Sequence, residues 1–148
     1  GRTLECIEVM KTLWCDNVSG HQGKYFSIDA AYQNPKPVQK PHIPILFGGE
    51  SDPALLRVAQ VGQGWYGFNL TPQLLEERLG YLARLLDAQG RAIEEIRICV
   101  GPASSVRSAA DFERFQSLGV DQVVLPVMAA KISSLEERAK KAFARVYG

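Results

Sequence analysis

No stretch of this sequence stays hydrophobic long enough to cross a bilayer as a helix, and no signal-peptide pattern opens it. The expected location is therefore the cytoplasm. Cysteine is scarce: Cys6, Cys15 and Cys99 are an odd number, widely spaced and in no ligand pattern. That excludes a disulfide framework and fits reduced thiols, each expected as a small buried apolar residue. Histidine is scarcer still. His21 and His42 stand well apart without an acidic cluster, so no metal site is expected. Charge of one sign is missing too, with 17 Lys and Arg against 16 Asp and Glu, interleaved, for a net charge of +1. A nucleic-acid groove or a membrane-surface patch would need an excess of basic residues, so neither partner is expected. No short repeat and no low-complexity segment occurs.

What the sequence has is an ordinary globular composition, 46% hydrophobic and 22% charged over 148 residues. That is enough for one domain with a real core. Its organising stretch is Ile43-Pro44-Ile45-Leu46-Phe47-Gly48-Gly49-Glu50-Ser51-Asp52-Pro53. A short apolar run ends in two glycines, and a capping residue and a proline open a helix. Strand, tight turn and helix N-terminus would aim N–H groups at one spot, the arrangement that holds phosphate. A plain βα turn accounts for the same residues, and the spaced-glycine dinucleotide pattern is absent. Glu50 adds negative charge unless it points away.

Residues 2–14 carry Leu4, Ile7, Val9, Met10, Leu13 and Trp14 at mostly helical spacing. No strand precedes this helix, which suggests the remainder of a longer chain. Residues 16–34 are turn-rich, with Tyr25-Phe26-Ser27-Ile28 as a short strand or hairpin arm. Pro35, Pro37, Pro41 and Pro44 make residues 35–44 an extended lead-in. Four βα units then follow. The expected strands are Pro44–Phe47, Gly64–Phe68, Ile96–Val100 and Gln122–Val127. A helix over Asp52–Val61 turns Leu55, Val58 and Ala59 inward. A second runs from a Thr71 cap and Pro72 to about Gln89, with Leu74, Leu75, Leu79, Leu82, Leu85 and Leu86 as its apolar face. Gly90 ends it. Ser108 with Asp111 reads as a capping box for a helix to Leu118, and Ser134 with Glu137 as one for the last helix. The expected organisation is one domain over residues 1–148, a helix and proline-rich lead-in over 1–44 and the four units over 45–148.

Strands alternating with helices mean a parallel sheet. An open doubly wound sheet and half of an eight-stranded barrel both fit. In the half barrel, Ile45, Phe47, Ile98, Val100, Val124 and Pro126 would alternate onto an exposed inner face. With two open sheet edges, that face predicts self-association.

Several pieces appear in the order in which the luciferase-like monooxygenase superfamily carries them, notably its deazaflavin-dependent branch. They are Thr12-Leu13-Trp14, Gly23-Lys24-Tyr25-Phe26, the run from Pro35 to Ile45, Gly48-Gly49-Glu50-Ser51 and Gly62-Gln63-Gly64-Trp65. Where the family usually has aspartate before the last Gly-Trp, this chain has Gln63. The resemblance is carried by most of residues 2–90. Beyond them it rests on βα rhythm and on Gly119-Val120-Asp121-Gln122-Val123-Val124. It implies the C-terminal half of a (β/α)8 barrel of an oxidoreductase or monooxygenase that uses FMN or a deazaflavin coenzyme on a small-molecule substrate. By position, the cofactor's phosphate and ribityl chain would fall to Gly48, Gly49, Ser51, Gly64 and Trp65. The ring and most acid/base groups would lie in the other half, so no catalytic residue is assigned here.

Other candidates have plainer readings. His42 suits packing at a strand entry, and His21 a solvated loop. Ser104 and Ser105 read as turn residues, since no paired base is indicated. Trp65, Tyr66 and Phe68 suit core packing or ring stacking, and Arg57 and Arg107 could meet phosphate oxygens. The alternative function is a non-catalytic α/β module that self-associates or binds a phosphorylated ligand.

Overall fold

The computed structural model describes residues 1–106 and 108–147, with the backbone alone at 145 and 147. The chain forms two compact units, Gly1–Ile45 and Leu46–Gly148.

In the first unit, helix α1 (Arg2–Cys15) precedes an antiparallel hairpin of β1 (Ser19–Gln22) and β2 (Ser27–Ala31). α1 buries Ile7 and Val9, as its apolar spacing predicts. Ser27 and Ile28 do belong to a hairpin arm, whereas Tyr25 and Phe26 form its turn. β1 lies in a stretch that reads as turns from sequence, because Ser-Gly-His-Gln has no alternating apolar residues. The hairpin is organised by one side chain. The Glu5 carboxylate accepts the N–H groups of Lys24, Tyr25 and Phe26 at 3.1, 2.8 and 2.7 Å. His21 Nε2 lies 3.4 Å from the same carboxylate, so His21 packs on α1 rather than standing in solvent. Residues 35–44 carry neither helix nor strand.

The second unit is a parallel sheet in the order β3 (Leu46–Gly48), β4 (Gly64–Leu70), β5 (Arg97–Pro102) and β6 (Gln122–Val123). Helices α2 (Asp52–Val61), α3 (Pro72–Asp87) and α4 (Ala109–Ser117) connect consecutive strands, and α5 (Leu135–Tyr147) follows. Sequential order decides between the two architectures. Right-handed crossovers between neighbouring strands put every helix on one face, as in a barrel, while a doubly wound sheet reverses its order to cover both. One face is what the core shows: Leu55, Val58, Leu75, Leu82, Leu86 and Phe115 pack on Trp65, Ile98 and Val100.

The caps follow the sequence closely. The Thr71 hydroxyl accepts from Leu74 N–H, and Ser108 and Asp111 form a reciprocal box. Gly90 and Gly119 lie just past α3 and α4 at φ +68 and +80. Elsewhere the structure corrects the reading. β3 is displaced to Leu46–Gly48 because its ladder begins where Leu46 meets Gly64 and continues to Gly48 opposite Tyr66. β4 and β5 each run two residues further than expected, and β6 is cut to two. Val124 N–H still donates to Val100 O, and Pro126 has no N–H to continue with. Leu74 is exposed, outside the buried stripe of α3. The Ser134 hydroxyl donates to Lys131 O and Glu137 pairs with Lys141, so the last capping box does not form. Cys99 is buried, but Cys6 is half-buried and Cys15 exposed.

The largest correction concerns the faces. Register places Phe47, Trp65 and Ile98 side by side, then Gly67, Val100 and Val123, all toward the helices. Ile45 precedes the strand altogether. The helix-free face instead carries Leu46 and Arg97 across Gly64, then Gly48, Tyr66, Cys99 and Gln122, then Phe68 and Gly101. Ile98, Cys99 and Val100 are all apolar, so the sequence offers no alternation to fix which is which.

Candidate functional site

The C-terminal edge of the sheet is where the connections from β3, β4 and β5 emerge. At the end of β3 the backbone of Gly49 takes φ +104, a conformation that only glycine adopts without strain. Its two backbone groups are both engaged. The N–H donates to Tyr66 O at 3.3 Å, and the carbonyl accepts the indole N–H of Trp65 at 2.9 Å.

Glu50 is tied to β4 at the same sheet edge. Its Oε1 accepts Phe68 N–H at 2.6 Å and so replaces the strand carbonyl that β3 no longer offers to β4. Ser51 is the N-cap of α2, and its carbonyl accepts from Ala54 and Leu55. The Ser51 hydroxyl makes no capping bond and is exposed. Asp52 is paired with Arg78 at 2.7 Å. The turn therefore presents the amides of Ser51 and Asp52, ahead of the first helical hydrogen bond, together with a free-facing hydroxyl. That donor set suits an anion or a polyol, and the nearby carboxylates are held by their own partners.

Of the predicted site residues, Gly48, Gly49 and Ser51 lie together here. Trp65 is fully buried on the helix side and reaches the turn only through its N–H, so it supports the turn and offers no face for stacking. Gly64 sits at the other end of β4, where a Cβ would lie 2.6 Å from Leu46 Cγ and 2.9 Å from Arg97 O. Its smallness serves the packing of β3, β4 and β5.

Tyr66 and Phe68 stand on the helix-free face, Phe68 60% exposed, with Gly101 beneath them. Ser104 and Ser105 occupy the turn after β5. Arg57 lies on α2, and Arg107 falls outside the described residues. In the first unit, the His42 ring packs on Trp14 at 6.1 Å between centroids, as a strand-entry residue would.

Three features escaped the sequence reading. Glu50 binds eighteen residues away in β4, which no local pattern announces. Asn69, just after Phe68, takes φ +57, a left-handed residue at the same sheet edge. Arg97, Cys99 and Gln122 cluster on the helix-free face: Arg97 donates to Gln122 Oε1 at 3.0 Å, and Cys99 Sγ lies 3.8 Å from that oxygen. Burial pushes the Cys99 thiol up, against the pull of Arg97. Among the described residues no group of histidine, cysteine and carboxylate side chains could hold a metal, and no helix is long and apolar enough to cross a membrane.

A family model described as luciferase-like monooxygenase matches residues 1–145. An uncharacterized protein of Mycobacterium bovis is 32% identical over 90 residues, which cover 61% of this chain and 30% of that protein. The chain thus spans about a third of the length of the curated relatives it matches first. Among solved structures, an F420-dependent secondary alcohol dehydrogenase in complex with an F420-acetone adduct superposes with a TM-score of 0.74 at 14% identity, over 97% of this chain and 61% of that one. A riboflavin lyase with modified FMN gives 0.55 at 16% identity, over 67% and 27%.

Proposed function

The chain belongs to the luciferase-like monooxygenase family, and on that premise we propose that it forms part of a flavin- or deazaflavin-dependent oxidoreductase barrel. In this reading the β3–α2 turn contributes to the site for the cofactor's phosphate and ribityl chain. The observation that carries it is the turn itself: Gly49 at φ +104 brings the amide end of α2 to the C-terminal edge of a parallel sheet, where barrel enzymes bind their ligands. Gly48 and Ser51 flank that point. Trp65 fixes the turn from behind, and Gly64 keeps β3 and β4 close.

When bound, the ring would supply hydride-transfer or oxygen-insertion chemistry. This chain would hold the tail, orient it along the strand ends and keep Glu50 off the anion by binding it to Phe68. The names of the two solved structures, one carrying F420 and one FMN, support either cofactor type. The substrate and the acid/base groups would belong to strands outside this sequence. Among the described residues β3 and β6 each pair with one strand only, which supports pairing with further strands of a barrel or with a second copy of the chain.

The test is a cofactor titration by flavin or deazaflavin fluorescence in the longer parent protein. Gly49→Val should weaken binding by about 1–3 kcal/mol, through strain and blocked approach. Arg84→Ala, on the exposed face of α3, should leave it unchanged. Equal affinity in a folded Gly49→Val protein refutes the phosphate site.

A further inference from the structure

β4 ends on an irregularity. Trp65 and Gly67 face the helices and Tyr66 and Phe68 the other side, so regular alternation would turn Asn69 into the core and Leu70 out of it. The structure does the reverse. Phe68 pairs with Gly101 and Leu70 with Pro102, which leaves Asn69 as an extra residue, a bulge, at φ +57. Leu70 is thereby returned to the core, 4% exposed, and uses the space that Gly67 leaves: a Cβ there would lie 2.5 Å from Leu70 Cδ1. Ala103 N–H holds the Leu70 carbonyl at 2.9 Å.

The burial of Leu70 accounts for the bulge but not for an asparagine in it. Glycine takes a left-handed backbone most readily. Asparagine is tolerated there because its side chain can bond the neighbouring backbone. The Asn69 carboxamide does not do this: it is exposed and makes no hydrogen bond with any described residue. It stands at the C-terminal edge of the sheet, one residue past Phe68, whose N–H is held by Glu50, the residue between Gly49 and Ser51. β3 and β4 are neighbours, and paired strands lie about 4.8 Å apart, so Asn69 stands one strand over from the β3–α2 turn.

We propose that Asn69 is a binding residue for the uncharged ribityl hydroxyls of the cofactor. This rests on the reading of the β3–α2 turn as the phosphate site. In both cofactor types the ribityl chain is joined directly to the phosphate. A cofactor anchored at Gly49 and Ser51 and lying along the strand ends therefore brings hydroxyls, not charge, to the end of β4. Each hydroxyl both donates and accepts, and so does a carboxamide. The bulge holds that carboxamide at the edge, and the buried Leu70 holds the bulge.

The experiment separates polyol from phosphate. FMN and riboflavin, or a deazaflavin coenzyme and its phosphate-free ribityl form, are titrated by fluorescence against the longer parent protein. Asn69→Gly keeps the left-handed backbone and removes the carboxamide. It should weaken both members of the pair by the same factor, about three- to tenfold, with no loss in melting temperature. Asn69→Asp places a charge beside the phosphate, so it should weaken the phosphorylated member more than the other, by a margin that salt reduces. Unchanged affinity for both members in Asn69→Gly overturns the proposal, and so does a loss confined to the phosphorylated one. Gly49→Val judges the phosphate reading separately: it should reduce the preference for the phosphorylated member, and a preference left intact refutes that reading whatever Asn69→Gly shows. A wild-type protein that binds neither member overturns both.

Discussion

Trp65 and Gly49 are joined across the β3–β4 pair: the indole N–H donates to the Gly49 carbonyl at 2.9 Å. The fully buried aromatic of the sheet thereby fixes the backbone of the turn at its edge. Trp65→Phe keeps most of the ring in the core and removes the donor, leaving the Gly49 carbonyl without its partner. We expect a loss of about 1–2 kcal/mol in urea unfolding, with faster exchange of the Gly49 amide. A variant as stable as wild type with unchanged exchange would show that the bond does not hold the turn.

Glu5 gives the first unit its pH dependence. Burial works to raise its pKa, but the N–H groups of Tyr25 and Phe26 and the nearby His21 outweigh that, so the carboxyl lies below its ordinary value of 4.5. A lowered folded pKa means stability that is complete above the ordinary value and lost as pH falls through the folded one. The amides of Lys24, Tyr25 and Phe26 should stay protected down to about pH 4.5 and lose protection below it. In Glu5→Gln the protection should be lower at neutral pH and flat across this range. Protection in wild type that is unchanged to pH 2 would rule out the carboxylate as the clamp.

How much of this was legible in the sequence follows from how local each signal is. α2, α3 and α4 were readable because cap and stripe lie within a few residues: Thr71 and Leu74, or Ser108 and Asp111. The same logic failed at Ser134, where the residues fit a capping box but the 310 turn at Ile132–Ser134 takes the hydroxyl. Strand ends were displaced because they depend on the partner, as Leu46 depends on Gly64. The sheet faces were unreadable in Ile98-Cys99-Val100, where both parities are apolar. At the site, the glycine turn was visible, whereas its ties to Trp65 and Phe68 join residues sixteen and eighteen positions apart.

Arg91 closes the end of α2. Its guanidinium donates to the carbonyls of Val58, Ala59 and Gly62 at 3.2, 2.9 and 2.8 Å. These are carbonyls at a helix C-terminus, and the positive charge also meets the negative end of the helix. Arg91→Met preserves the aliphatic stem and removes every donor, so we expect about 2–3 kcal/mol of destabilisation in urea titrations, with Arg91→Lys in between. An Arg91→Met chain within about 0.5 kcal/mol of wild type would mean water replaces these bonds without loss.

Two glycines should respond in opposite directions to the same substitution. Gly64 lies between neighbouring strands, where an added methyl would come 2.6 Å from Leu46 Cγ and 2.9 Å from Arg97 O. The leucine can rotate, but the carbonyl belongs to the β4–β5 ladder and cannot move without stretching it. Gly64→Ala should therefore destabilise by about 1–3 kcal/mol. Gly80 lies in the middle of α3 on an exposed position, with nothing within 4 Å of where its Cβ would stand. There glycine only adds freedom to the unfolded chain, and Gly80→Ala should stabilise by about 0.5–1 kcal/mol. Thermal melts of the two variants beside wild type give the sign directly. If Gly64→Ala is stabilised as well, the close approach of β3, β4 and β5 at Gly64 is not what requires a glycine there; if Gly80→Ala is destabilised, helix propensity does not govern that position.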